Sequence, residues 1–107
     1  MFVKSKVAQS VKMGESLSRK VLARGGNLMT VEVAFQKGGV GALHSHPHEQ
    51  ISYVIQGSFR YTLGEQEEIL SAGDSCYVPP GVLHGVTALE DGKLIDVFTP
   101  QRQDFLE

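Results

Sequence analysis

The segment Gly38-Gly39-Val40-Gly41-Ala42-Leu43-His44-Ser45-His46-Pro47-His48-Glu49-Gln50-Ile51-Ser52-Tyr53-Val54-Ile55-Gln56-Gly57 holds all but one of the chain's 4 histidines. His44 and His46 are two positions apart, which on a β-strand puts both imidazoles on one face. Two imidazoles on one face can share a cation through metal–nitrogen bonds of about 2.0–2.1 Å. These residues leave the next ligand open. Glu49 offers a hard anionic oxygen, Gln50 has the same even parity as positions 44 and 46, and so does His48. If the strand stays regular past Pro47, Gln50 faces inward with the histidines and Glu49 faces out. Pro47 puts that regularity in question, because it removes a ladder hydrogen bond and favours an edge or a bend. Without a metal, the same residues describe a solvated, histidine-rich turn.

Outward from this segment the periodicity is that of strands. Met29, Val31, Val33 and Phe35 alternate with Thr30, Glu32 and Ala34, a period of two. Ile51–Gln56 and Ser58–Leu63 flank Gly57 and are expected to pair as a hairpin. Glu68–Leu70, Ser75–Val78, Val82–Leu89 and Leu94–Thr99 are further short runs. Paired glycines at 25–26 and 38–39, Gly64-Glu65, Gly73-Asp74, Pro80-Gly81 and Asp91-Gly92 punctuate them. Many short strands at near-regular spacing predict an all-β sandwich or barrel. No stretch has convincing helical periodicity, although the tail Gln101–Glu107 has room for one helical turn.

A second segment, Gly73–Ala88, reads GDSCYVPPGVLHGVTA and supplies the remaining histidine, His84, after Pro79-Pro80-Gly81. Proline fixes φ and glycine accepts positive φ, so this turn sets the angle at which the last part of the chain enters.

Together the two segments resemble the paired motifs of the cupin superfamily. The first motif, Gly-x5-His-x-His-x3,4-Glu-x6-Gly, is matched by Gly38, His44, His46, Gln50 and Gly57. The second, Gly-x5-Pro-x-Gly-x2-His-x3-Asn, is matched by Gly73, Pro79, Gly81 and His84. The resemblance implies a small jelly-roll β-barrel, a single cupin domain over residues 1–107. It also implies one divalent transition metal held by His44, His46, Gln50 and His84 at the mouth of the barrel. His48 then becomes a rim residue. The chain departs from the pattern twice, with Ala88 where asparagine is usual and Gln50 where glutamate is usual. Three imidazoles and an amide are neutral, so a divalent ion keeps its full charge. It then polarises a bound oxygen more strongly and suits an anionic substrate. The higher redox potential of such a site disfavours oxygen chemistry at iron. Zinc, nickel, iron, copper and manganese all suit this donor set.

The final strand narrows the resemblance. Asp96 and Phe98 share a strand face, and Asp96 lies in an apolar run where a carboxylate either faces solvent or is buried for a purpose. The run His44-Ser-His-Pro-His-Glu-Gln50, with Asp96-Val-Phe98-x-Pro100-x-Arg102-x-Asp104-Phe105, is similar to the pectin-degradation cupins that convert 4,5-unsaturated monouronates to their linear keto form. That resemblance implies that Asp96, Phe98 and Arg102 line the metal pocket. Arg102 would hold a carboxylate, Asp96 would move a proton and Phe98 would form an apolar wall. Two other readings compete: an iron-dependent dioxygenase, and a metal-containing module that binds a sugar or metabolite without turnover.

Composition bounds the rest. A chain of 107 residues has the size of one domain. Its 12 glycines exceed the roughly 7% average and fit a turn-rich fold. A net charge of −2 gives no field to attract nucleic acid, and no apolar run approaches the roughly 20 residues of a membrane span. The N-terminus shows no signal-peptide pattern. A single cysteine, Cys76, excludes an internal disulfide and is expected to be a small buried strand residue. These features suit a cytoplasmic protein, and the resemblance to pectin-degradation cupins implies a small anionic sugar-like substrate. The cupin resemblance adds a homodimer formed through N-terminal strands. Arg60 is expected at the surface, and Lys12, Arg19, Lys20 and Arg24 form no interpretable patch.

Overall fold

The alternation around Val31 builds the central wall of the molecule. In the computed structural model, which describes residues 1–107, Met29, Val31, Val33 and Phe35 are all buried along one strand while the residues between them are not. The strands are β1 (Ser10–Lys12), β2 (Leu17–Gly25), β3 (Leu28–Phe35), β4 (Val40–His44), β5 (Glu49–Gln56), β6 (Ser58–Leu63), β7 (Gln66–Ser71), β8 (Ser75–Val78), β9 (His84–Ala88) and β10 (Gly92–Thr99), followed by a 3-10 turn at Gln103–Leu106. They form two antiparallel sheets, one in the order β1-β2-β3-β10-β5-β8 and the other β4-β9-β6-β7. This is the expected all-β jelly roll, built as two facing sheets rather than one sheet closed on itself. The tail makes its single helical turn where the sequence leaves room for it.

One expected pairing is corrected. β5 and β6 flank Gly57 but belong to different sheets. Gly57 has φ of 84°, and a Cβ there would stand 2.6 Å from the Asp91 carbonyl oxygen. Only glycine allows the chain to turn from one sheet into the other so close to another backbone. The periodicity of the sequence does not mark β1, β2 or β4. The mixed polar and apolar residues of β2, and the glycine-containing stretch of β4, hide their strand character.

The core lies between the sheets. Phe59 from the smaller sheet meets Phe35 edge-on at 5.0 Å, an arrangement that aromatic quadrupoles favour. Val54, Ala88 and Leu94 complete this apolar packing. Each of these strands carries an inward face that changes character along its length. On β5 the inward residues are Gln50, Ser52 and Val54. Opposite them on β10 are Phe98, Asp96 and Leu94, so Asp96 pairs with Ser52 and Phe98 pairs with Gln50. Directly opposed residues point to the same side. The interior is therefore apolar at the Val54–Leu94 row and polar one row nearer the mouth.

Candidate functional site

His44 ends β4 and pairs with His84, the first residue of β9. His46 is not on a strand; it lies in the crossing from β4 to β5, between the two sheets. The parity argument for one shared strand face is thus replaced by convergence. The smaller sheet contributes His44 and His84, the crossing contributes His46, and the larger sheet contributes Gln50. A backbone hydrogen bond from Gly81 N to the His46 carbonyl, 2.8 Å, ties the crossing to the Pro79-Pro80-Gly81 turn. Gly81 has φ of 77°. The conformation of this turn, set by proline and glycine, fixes how the two histidine segments meet.

The three rings are close. Their centroids are 4.4 Å apart for His44–His84, 4.8 Å for His46–His84 and 5.5 Å for His44–His46. One ligand atom from each lies within 4.8 Å of the others. Every Nδ1 faces a backbone carbonyl, Ala42 for His44 at 2.9 Å, His48 for His46 at 3.1 Å and Val82 for His84 at 2.9 Å. A carbonyl only accepts, so each Nδ1 carries the proton and each Nε2 presents a lone pair. The Nε2 of His84 is buried and has no partner. The Nε2 of His46 lies 2.8 Å from Gln50 Oε1, while Gln50 donates through its Nε2 to Ser52 Oγ, 3.0 Å away. Two acceptors face each other, an arrangement that a proton, a bound cation or an amide turned end for end would relieve. Burial, helped by the nearby charged groups, outweighs the Gln50 and Val82 hydrogen bonds and holds His46 and His84 below the usual histidine range, which disfavours the proton. These donors fit a metal ion.

Gln50 is buried and Glu49 is exposed, where it accepts a hydrogen bond from the Tyr77 hydroxyl. His48 lies outside the three-histidine cluster, in edge-on contact with His46 at 5.3 Å. Its backbone carbonyl orients His46.

A polar chain leads inward from the histidines. Ser52 Oγ accepts from Gln50 and donates to Asp96 Oδ1, with Tyr61 OH at 2.9 Å. Burial pushes the Asp96 carboxyl up to about 6, against the opposing effect of the Ser52 and Gln50 hydrogen bonds and the Arg102 charge. Burial also pushes the Tyr61 hydroxyl up, keeping it protonated, and does the same to the Cys76 thiol. Cys76 pairs across from Ser52 and is partly buried, the small strand residue expected of it.

A cavity of about 340 Å³ runs between the sheets, with His44, Gln50, Ser52, Asp96, Phe98 and Arg102 among its lining residues. Two further lining residues, Arg19 and Phe105, come from distant parts of the chain. Phe105 is carried back by the 3-10 turn to meet Phe98 edge-on at 5.9 Å. Arg102 holds Asp104 with two parallel hydrogen bonds, Nε to Oδ1 at 3.1 Å and Nη2 to Oδ2 at 2.9 Å. Arg60 is a surface residue paired with Glu67 at 3.3 Å.

Sequence alone assigns Ser52, Tyr61 and Arg19 no site role, and it marks Phe105 only as the end of the tail motif. The parity that pointed inward for Gln50 points inward for Ser52 as well. Nothing local marks Arg19, and the meeting of Arg19 with Phe105 depends on how both chain ends fold over the larger sheet.

A jelly roll with histidines from two glycine-bounded segments converging at its mouth defines a family. The cupin domain model matches residues 31–98, and the chain belongs to the cupin family. It is 42% identical over 96 residues to the pectin degradation protein KdgF of Dickeya dadantii (strain 3937), covering 88% of this chain and 87% of that protein. Among solved structures it is similar to KdgF from Halomonas sp., with a TM-score of 0.94 and 37% identity over 98% of this chain and 99% of that one. It is also similar to an RmlC-like cupin from Shewanella frigidimarina NCIMB 400, with a TM-score of 0.93 and 39% identity over 97% and 94% of the two chains. The resemblance to pectin-degradation cupins extends over most of the chain.

Proposed function

We propose that this protein converts 4,5-unsaturated monouronates to the linear 5-keto-4-deoxyuronate form without redox change. His44, His46, Gln50 and His84 would hold one divalent transition metal, and the observation that carries this is the convergence of three imidazoles, with the Gln50 oxygen against His46 Nε2. When bound, such an ion supplies Lewis-acid stabilisation of negative charge developing on substrate oxygens. The similarity to pectin degradation proteins supports the choice of a sugar acid.

In this reading Asp96 moves the proton. With its carboxyl near 6, both protonation states are accessible around neutrality, as a general acid–base needs. Asp96 takes the proton of the anomeric hydroxyl. The ring C1–O5 bond breaks, leaving an aldehyde at C1 and an enolate across C4 and C5. Return of the proton to C4 makes the methylene and leaves a ketone at C5. The proton lost is the proton regained, so no co-reactant is needed. Ser52 holds Asp96 through Oδ1. Phe98 supplies an apolar wall that limits water around the reacting carbon. Arg102 uses its Nε–Nη2 edge on Asp104 and retains its Nη1 donors for the substrate carboxylate.

The same reading makes residues 1–107 one catalytic domain acting as a cytoplasmic homodimer. The unpaired outer edge of β1 and its exposed Val11 support pairing with a second copy, since open sheet edges are templates for association. The lone free Cys76 suits a reducing compartment.

The test is a ketonisation assay on metal-loaded protein, following loss of the absorbance of the conjugated double bond in unsaturated galacturonate. The expected result is a rate well above the spontaneous one with metal and a return to it after chelation. A rate equal to the spontaneous one with every candidate metal would sink the proposal.

A further inference from the structure

Arg19 stands in the cavity with nothing to neutralise it. It lies on β2 opposite Val33, whose side chain is buried between the sheets, so Arg19 shares that inward direction. Its Nε is buried and has no hydrogen-bond partner. The molecule has two ion pairs, Arg60–Glu67 and Arg102–Asp104, and Arg19 is in neither. Burying part of a guanidinium without a partner is unfavourable, and its aromatic neighbour offsets only part of that. The Arg19 guanidinium carbon sits 4.1 Å from the centre of the Phe105 ring, and that of Arg102 sits 4.3 Å from the same ring. The one ring thus carries two cations. Asp104 answers one of them, and the other faces the cavity.

We infer that Arg19 is a binding residue for an anionic group of the cavity's occupant. It would take a carboxylate against its free N–H groups, beside Arg102 on the shared Phe105 ring. The ring of Phe105 fixes both guanidinium groups and limits the rotamer entropy lost when the anion arrives. This inference rests on the reading that the cavity accepts a sugar acid, and it adds the residue that selects for the acid. The planar fork of arginine matches a carboxylate in a way that lysine does not.

The probes are D-galacturonate, which has the carboxylate but no double bond to react, and D-galactose, which lacks the carboxylate. Calorimetric titration of metal-loaded protein is expected to show the wild type preferring galacturonate by about 10-fold or more. R19Q should lose about 10- to 100-fold in galacturonate affinity, the range for losing a hydrogen bond to a charged group. Galactose affinity, metal content and melting temperature should stay at wild-type values. If R19Q does not fold, R19K carries the test, with a loss of about threefold or more expected as a point charge replaces the fork. Unchanged galacturonate affinity in a folded variant, or no preference for galacturonate in the wild type, overturns the inference. The two readings separate cleanly. Arg19-dependent galacturonate binding without ketonisation keeps the anion site and rejects the reaction. Ketonisation with an R19Q KM equal to wild type keeps the reaction and rejects the anion site.

Discussion

The cavity has two differently made walls. At the mouth, three imidazoles and an amide converge from both sheets, each imidazole pinned through Nδ1 to a backbone carbonyl. Beside Phe98, two arginines and Phe105 meet through stacking, with β2 supplying one arginine and the C-terminal tail the other two residues. The first wall is neutral and has lone pairs pointing inward, so it suits a cation. The second is positive and has donors pointing inward, so it suits an anion. Asp96 lies one row further in, opposite Ser52, where burial pushes its carboxyl up to about 6. A ligand in the cavity would therefore meet cation-binding lone pairs, an anion-binding guanidinium and, further in, the Asp96 carboxyl.

The largest effect is expected at the first wall. His84→Ala should remove metal binding and lower ketonisation on the order of 10³-fold. It should also abolish the rise in melting temperature that a divalent metal gives the wild type by mass action. A variant that keeps full metal content would break the contrast between the walls. Asp96→Asn should lower turnover by about 10²- to 10⁴-fold with metal content unchanged.

Asp96→Asn also carries a pH signature in chelated protein. The folded-state carboxyl is raised from 3.8 to about 6, so the proton favours the folded state. That contribution is complete below 3.8 and is lost as pH rises through about 6. At pH 8 the variant should therefore be the more stable by on the order of 1–3 kcal/mol, and at pH 4 the gain should vanish. His46 and His84 have lowered values and act in the opposite sense, losing stability as pH falls from 6.5. Both proteins share that loss, so the difference in their melting temperatures isolates Asp96. A gain that is the same at both pH values would reject the buried, proton-favouring environment.

Ser52→Ala should cost about 1–3 kcal/mol, since it leaves Gln50 and Tyr61 short of a buried partner. Turnover should fall by about 10-fold through misplacement of Asp96, with metal content retained. Denaturant unfolding and metal analysis check these outcomes. The smallest effect is expected at the second wall. Asp104 is exposed, so Asp104→Asn should change stability by no more than about 0.5 kcal/mol. It should lower KM for an anionic substrate by about two- to threefold as Arg102 gains a free edge. A large loss of binding would show that the Asp104 pair positions Arg102 rather than occupying it.

The histidine wall was legible because its parts recur at fixed spacing, His44 and His46 after Gly38 and His84 after Pro79 and Gly81. Short-range stereochemistry enforces that spacing: Gly57 must turn without a Cβ, and the proline–glycine turn must meet the His46 carbonyl. Strand parity also placed Gln50 inward and Glu49 outward, although His46 reached the cluster from a crossing and not from a strand face. The arginine wall could not be read in this way. Arg19 and Phe105 are brought together by pairing of β2 with β3 and by the fold of the tail, and neither contact leaves a local pattern in sequence.

The sequence by itself determined the strand periodicity, the turns and the identity of the histidine cluster, because alternation and backbone dihedral preferences act over a few residues. Tertiary structure alone decided that β5 and β6 separate into different sheets, that Ser52 stands opposite Asp96, and that Arg19 remains without an anion. Those outcomes depend on register and burial between segments far apart in the chain, where the same side chain is solvated or desolvated according to what folds against it.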